Sequence, residues 1–299
     1  MQPRDLLLSL LAAIALAFTI FWWRRLRSTP PDRSLRPSAL EIAIGFVTDF
    51  LDTLGVGSFA VTTSLYRFFS RASVRDREIP GTLNVGHALP TALQALIYIS
   101  TVEVDVTTLA ALIAAAVAGA HVGAGIVAAL PERKLRIGMA IALLMAAALI
   151  VARLVGAMPT GRDAIALDGS LLALGVAGNF VLGAFMTLGI GLYAPCMILV
   201  SLLGMNPRAA FPIMMGSCAF LMPVAAFRFV RTERYAPSAA LGLSLGGLPA
   251  VWIAAKLVRE LPLDAVRWLV VSIVIYTAIG LLRAARANAI TSAIPTDRS

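Results

Sequence analysis

The chain has little charge. Asp, Glu, Lys and Arg make up 14% of its 299 residues, and 59% are hydrophobic. A soluble globule is about a quarter charged. Too little polar surface is present to solvate a body of this size, so the main solvent is lipid, in line with a mean hydropathy of +0.87. Cysteine is scarce as well: Cys196 and Cys218 both lie in apolar runs, which excludes a disulfide framework or a zinc ribbon. The two histidines, His87 and His121, sit at no metal-ligand spacing, and no GxxxxGK[ST] loop is present. The expectation is no cofactor, no metal, no ATP-driven step and no enzyme.

What is present is long apolar segments. Leu6–Trp23, Val85–Val102, Val106–Leu130, Ile137–Ala152 and Trp268–Leu282 reach or approach the ~20 residues of a spanning helix. The fold class expected is an all-α polytopic membrane protein. Net charge +9 reads as basic loops that hold orientation and not as a nucleic-acid surface. Leu6–Trp23 is followed by Trp22-Trp23-Arg24-Arg25-Leu26-Arg27, the reverse of a signal peptide's charge order, so it is expected to be retained with its C-terminal end inside. Arg outnumbers Lys, and Ala is abundant, as in a GC-rich bacterial genome. The location expected is the bacterial inner membrane.

An internal repeat is visible. Phe46-Val47…Thr53-Leu54-Gly55-Val56-Gly57-Ser58-Phe59-Ala60 realigns without gaps on Phe180-Val181…Thr187-Leu188-Gly189-Ile190-Gly191-Leu192-Tyr193-Ala194. The organisation expected is an N-terminal span and basic linker (1–38), a first membrane repeat (39–156), a periplasmic linker (157–170), a second repeat (171–285) and a cytoplasmic tail (286–299). The uncharged run Gly169–Pro207 is too long for one span and short for two. It reads as two short helices meeting at Gly189–Gly191, with Pro195 in the first turn of the second, where its missing N–H is harmless. Ala39–Phe69 breaks likewise at Gly55–Gly57. If both segments return to the side they entered, 18 of the 25 basic residues face the cytoplasm; single crossings would split them 13 to 12. The positive-inside rule prefers hairpins, although two short full spans per hairpin give the same parity. Each half then has one hairpin and three spans, an odd number, which inverts the second half. Such inverted repeats recur in transporters.

In these features the chain resembles the sulfite exporter TauE/SafE family of permeases. The resemblance rests on Gly183…Leu188-Gly189-Ile190-Gly191-Leu192-Tyr193-Ala194-Pro195, then Leu202-Leu203-Gly204-Met205-Asn206-Pro207-Arg208-Ala209-Ala210-Phe211. It covers about residues 41–285 and leaves Leu6–Trp23 as an added span. The first half departs from the pattern, with Val61 where the second has Pro195. The resemblance implies a secondary transporter for small sulfur-containing or carboxylate anions. A passive anion channel, or a membrane assembly protein without transport, stay open as alternatives.

Four helix ends would meet near the two hairpin tips. The second helices begin near Ser58 and Leu192, and helix N-termini attract anions through unpaired N–H groups. Gly55, Gly57, Gly189 and Gly191 expose backbone there, and Thr53, Ser58, Thr62 and Thr187 add hydroxyls. No Arg or Lys lies deep in either hairpin. The bland reading is that the glycines only let helices pack closely. Asp49 and Asp52 share a helical face near the first tip, where carboxylates are costly and usually functional. They are expected to carry protons, or else to be solvated in a vestibule. His87 is a further proton-relay candidate, or a buried structural histidine. Asn84, Asn179 and Ser217 read as polar glue or pathway residues. Cys196 and Cys218 read as small apolar residues or as thiols in the path. The partners expected are a small anionic solute, protons and membrane lipid.

Overall fold

The computed structural model describes residues 2–28, 35–69, 74–157, 163–188, 191–257 and 263–291. Among them it contains twelve α-helices and no β-strand: α1 (Pro3–Arg27), α2 (Ala39–Thr53), α3 (Ser58–Phe69), α4 (Ile79–Gly86), α5 (Ala88–Thr101), α6 (Val106–Ala129), α7 (Glu132–Leu154), α8 (Gly169–Met186), α9 (Tyr193–Leu202), α10 (Ala210–Arg231), α11 (Pro237–Leu257) and α12 (Leu263–Thr291). Six of these, α1, α6, α7, α8, α10 and α11, are long and apolar enough to cross a membrane. The chain is an all-α polytopic membrane protein.

The starts of the helices follow from local chemistry. Ser38 and Glu41 close a capping box on α2: the Glu41 N–H donates to the Ser38 hydroxyl at 3.2 Å and the Ser38 N–H to the Glu41 carboxylate at 2.7 Å. Asp105 caps α6 by accepting from the Thr108 N–H at 2.7 Å. The span expected at Val85–Val102 begins earlier, at Ile79, and is divided at His87 into α4 and α5. Pro90 has no N–H to give the Gly86 carbonyl four residues back. The Ser244 hydroxyl donates to that carbonyl instead, at 2.6 Å.

Both broken segments are present. The first turns between α2 and α3 at Gly55 and Gly57, whose φ angles of +80° and +92° only glycine adopts without strain. Its two free ends come together: Glu41 of α2 accepts from the Ser238 hydroxyl, and Tyr66 of α3 donates to the Ala239 carbonyl. The second hairpin, α8–α9, also closes at its base, where the Asn206 N–H donates to the Ala164 carbonyl at 2.7 Å. α2, α3 and α9 are short helices as expected, but α8, with 18 residues, meets the length of a span. The bases of the two hairpins lie at opposite ends of α4–α5. Gly81 of α4 abuts the Arg234 carbonyl, beside the first base, while Asp105, just past α5, donates from its N–H to Ile165 beside the second.

The halves interlock. α2 packs along α11 and α8 along α6, so each hairpin lies on the second span that follows the other hairpin. Contact order gives the directions. Gly242 meets Glu41 and Gly247 meets Asp49, so α2 and α11 run parallel; Gly119 meets Phe180 and Gly123 meets Ala184, so α6 and α8 do too. Glycine makes these approaches possible. A Cβ on Gly45 would lie 2.6 Å from Leu243 Cα, and one on Gly183 would collide with the Ala116 carbonyl.

Gly183→Val should therefore destabilise the protein by about 3 kcal/mol, read as a lower thermal midpoint in detergent. Gly280→Ala, whose new Cβ meets nothing within 4 Å, should leave the midpoint in place. An unchanged midpoint for Gly183→Val would contradict the packing.

Candidate functional site

The break in the first hairpin sits against one face of α5. His87, Thr91, Gln94 and Tyr98 follow one another at three- and four-residue steps and look towards Asp49, Asp52 and Thr53 at the end of α2. His87 Nδ1 lies 2.9 and 3.0 Å from the two Asp49 oxygens, and Nε2 lies 3.0 Å from the Thr62 hydroxyl. The Thr62 proton is committed to the Ser58 carbonyl at 2.8 Å, so Nε2 must donate to Thr62. The Asp49–His87 pair then shares one proton at Nδ1 and is neutral overall, whichever partner holds it. Both residues are fully buried in the conformation described, with no solvent beside the Asp49 carboxylate.

Gln94 joins the two hairpins. Its amide donates to the Thr53 hydroxyl at 3.0 Å, and its carbonyl accepts from Tyr193, the first residue of α9, at 2.8 Å. The same Tyr193 hydroxyl lies 2.8 Å from Met215 Sδ on α10. Asp52 lies among these groups, near Asp49, His87, Gln94 and Tyr193 and near Cys218 and Tyr98. It too is fully buried, yet among the described residues neither of its oxygens accepts a hydrogen bond of good geometry. Such a carboxylate is costly to keep charged.

The carbonyls freed where α2 ends are taken by side chains from elsewhere. Tyr98 donates to the Thr53 carbonyl at 2.8 Å, and Arg153 near the end of α7 donates to the Gly55 carbonyl at 3.2 Å. The sequence reading found no basic residue deep in either hairpin. The fold carries the Arg153 guanidinium to the first tip. Arg153, Gln94, Tyr98 and Met215 went unremarked because their partners are distant in the chain and no local motif marks them.

Between the two hairpins is a cavity of about 30 Å³, room for one or two waters. Gly57 and Ala60 line it from the first hairpin, Gly191, Tyr193 and Pro195 from the second, and Ile150 from α7. A Cβ on Gly57 or Gly191 would meet nothing within 4 Å. Ser58 and Leu192 are buried beside it, and the Ser58 hydroxyl has no hydrogen-bond partner among the described residues. Gly189 lies outside the described residues. The other candidates are dispersed. Thr187 donates to the Ala184 carbonyl next to Gly123 of α6. Asn84 donates to Pro80 within its own helix. Asn179 donates to the Leu112 carbonyl and the Ser217 hydroxyl at 2.7 and 2.9 Å, tying α8 to α6 and α10. Cys218 Sγ lies 3.6 Å from Met186 Sδ, and Cys196 is buried. Among the described residues no cluster of three or more His, Cys, Asp or Glu suits a metal ion.

His87→Ala would leave Asp49 as a buried carboxylate without its partner. The expected loss is about 3 kcal/mol, read as a lower thermal midpoint, and an unchanged midpoint would show that the pair does not hold α2 to α5.

The family model for the sulfite exporter TauE/SafE family matches residues 1–151. The match runs from α1 almost to the end of α7. It therefore takes in the N-terminal helix that the sequence reading set apart, and the half in which the glycine motif looked less complete. No curated protein and no solved structure matches the chain. A match over half the sequence, on an all-α membrane fold with glycine-broken helices, places the chain in the sulfite exporter TauE/SafE family, whose members are membrane transporters of sulfite-type anions.

Proposed function

We propose that this protein carries a small sulfur-containing or carboxylate anion across the bacterial inner membrane, through the place where its two hairpins meet, and that Asp52 carries a coupled proton. One observation supports this most: Gly57 and Gly191, from hairpins with bases at opposite ends of α4–α5, face the same cavity. The parallel pairs α2–α11 and α8–α6 are the exchange expected if residues 39–156 and 171–285 form an inverted repeat. In that reading each hairpin blocks the path from its own side.

Recognition falls to the starts of α3 and α9, whose first N–H groups have no partner within their helices. The Ser58 hydroxyl adds an uncommitted donor, and Arg153 brings a positive charge to the first tip. A 30 Å³ cavity is too small for a hydrated oxyanion, so the conformation described is closed. Loading requires the hairpins to part, which disfavours a permanently open channel.

Coupling follows from charge. The Asp49–His87 pair is neutral, so it does not alter the potential that an anion meets. Asp52 does: ionised, it repels the solute; protonated, it does not. Protonation and anion binding therefore favour one another, and flux rises as pH falls on the loading side. The other titratable groups facing Asp52 are Asp49 on the same helix, His87 at the junction of α4 and α5, Tyr98 on α5, Tyr193 on α9 and Cys218 on α10.

Gly191→Leu should fill the cavity and lower sulfite flux in proteoliposomes at least ~10-fold, equivalent to about 1.4 kcal/mol. Its thermal midpoint should stay near that of the native protein. Full flux would remove this cavity from the path. Asp52→Asn should keep downhill flux but flatten its dependence on pH between about 5 and 8; a preserved pH profile would assign coupling to another group.

A further inference from the structure

The transport path uses neither α1 nor the arginines that follow it. α1 buries Leu7, Leu11, Phe18, Trp22 and Leu26, half-buries Leu8, Ile14, Ala15 and Phe21, and leaves most of the rest of its surface exposed. Beside that contact runs a furrow. Two apolar cavities of about 660 and 400 Å³ lie end to end along it and share His121 and Val224. Its walls are three helical stripes. α1 contributes Leu7, Leu10, Ile14, Ala17 and Phe21; α6 contributes Ala110, Ala114, Val117 and His121; α10 contributes Phe220, Val224 and Phe227. Leu7 to Phe21 spans about 21 Å at 1.5 Å per residue, more than the ~15 Å of hydrocarbon in one leaflet.

At one end each stripe runs into an arginine. Arg25 lies one turn beyond Phe21, with its guanidinium 5.8 Å from that ring, and Arg231 lies one turn beyond Phe227 at 5.3 Å. The two rings are themselves 4.8 Å apart. Arg228 reaches across to α6, where its guanidinium would lie 3.9 Å from a Cβ on Gly125. Three cations thus lie at one end of a trough whose one titratable lining group, among the described residues, is His121. The furrow can accept an apolar chain and the cluster an anionic group, at the distance that separates them in a lipid.

We infer that the α1–α6–α10 furrow is a site for an anionic phospholipid, with an acyl chain between the stripes and the phosphate held by Arg25, Arg228 and Arg231. The inference does not depend on the transport reading. Bound lipid would fill the space that α1 leaves open and fasten that helix to the body. Clusters of arginine at the membrane surface favour anionic headgroups, whereas a surrounding lipid with no dedicated seat would be chosen without regard to charge.

The test is native mass spectrometry and thermal unfolding of the purified full chain, with phosphatidylglycerol or phosphatidylcholine added to the detergent. Phosphatidylglycerol should be retained and should raise the midpoint, whereas phosphatidylcholine and inorganic phosphate alone should do neither. The triple variant Arg25→Gln/Arg228→Gln/Arg231→Gln should weaken retention roughly a hundredfold. Ala114→Trp, which plugs the trough at an exposed position, should abolish it with the arginines intact. Equal retention of both lipids, retention that survives either variant, or a second copy of the chain in place of lipid would each overturn the assignment.

Discussion

A helix that stops inside a membrane must find partners for its own peptide groups, because lipid offers none. This constraint organises the protein. Where α2 ends, the Thr53 carbonyl is taken by Tyr98 and the Gly55 carbonyl by Arg153. Where proline interrupts the path from α4 into α5, Ser244 takes the Gly86 carbonyl. Each repair comes from a different helix, so breaking the helices gathers polar side chains at the centre. The same breaks leave the N-terminal ends of α3 and α9 beside a shared cavity, and the proposed anion site grows from that arrangement.

The polar centre is divided between two carboxylates. Asp49 is paired with His87 and held as a neutral unit, a fixture between α2 and the α4–α5 junction. Asp52, one turn further on, is equally buried but has no hydrogen-bond partner of good geometry among the described residues. Only the second can change the charge of the site without breaking a bond of the fold. Close glycine packing of α2 on α11 and α8 on α6 keeps both hairpins in register with that centre.

Much of the architecture was legible in the sequence. Apolar length marked α1, α6 and α7 but not α10 and α11, which are also long enough to cross, and Gly55 and Gly57 marked the first break. The expected span at Val85–Val102 was misplaced because hydropathy does not register the polar turn around Asn84 and His87, which the fold buries. α8 ends at Met186, just before the break expected at Gly189–Gly191, and its 18 residues are nonetheless long enough to cross by themselves. The role of Arg153 was invisible: a terminal arginine on an apolar helix looks like an anchor, and nothing nearby shows that Gly55, about a hundred residues earlier, will reach it. Gln94 and Tyr98 were hidden for the same reason. Their spacing on α5 shows a shared face, not what that face meets.

The central claim is that the two hairpins enter from opposite faces of the membrane. Single cysteines at Phe69 and Asn206, placed in a background lacking Cys196 and Cys218, can be labelled with an impermeant maleimide in oriented vesicles. The account predicts that the two positions label from opposite sides. Labelling of both from one side would contradict it.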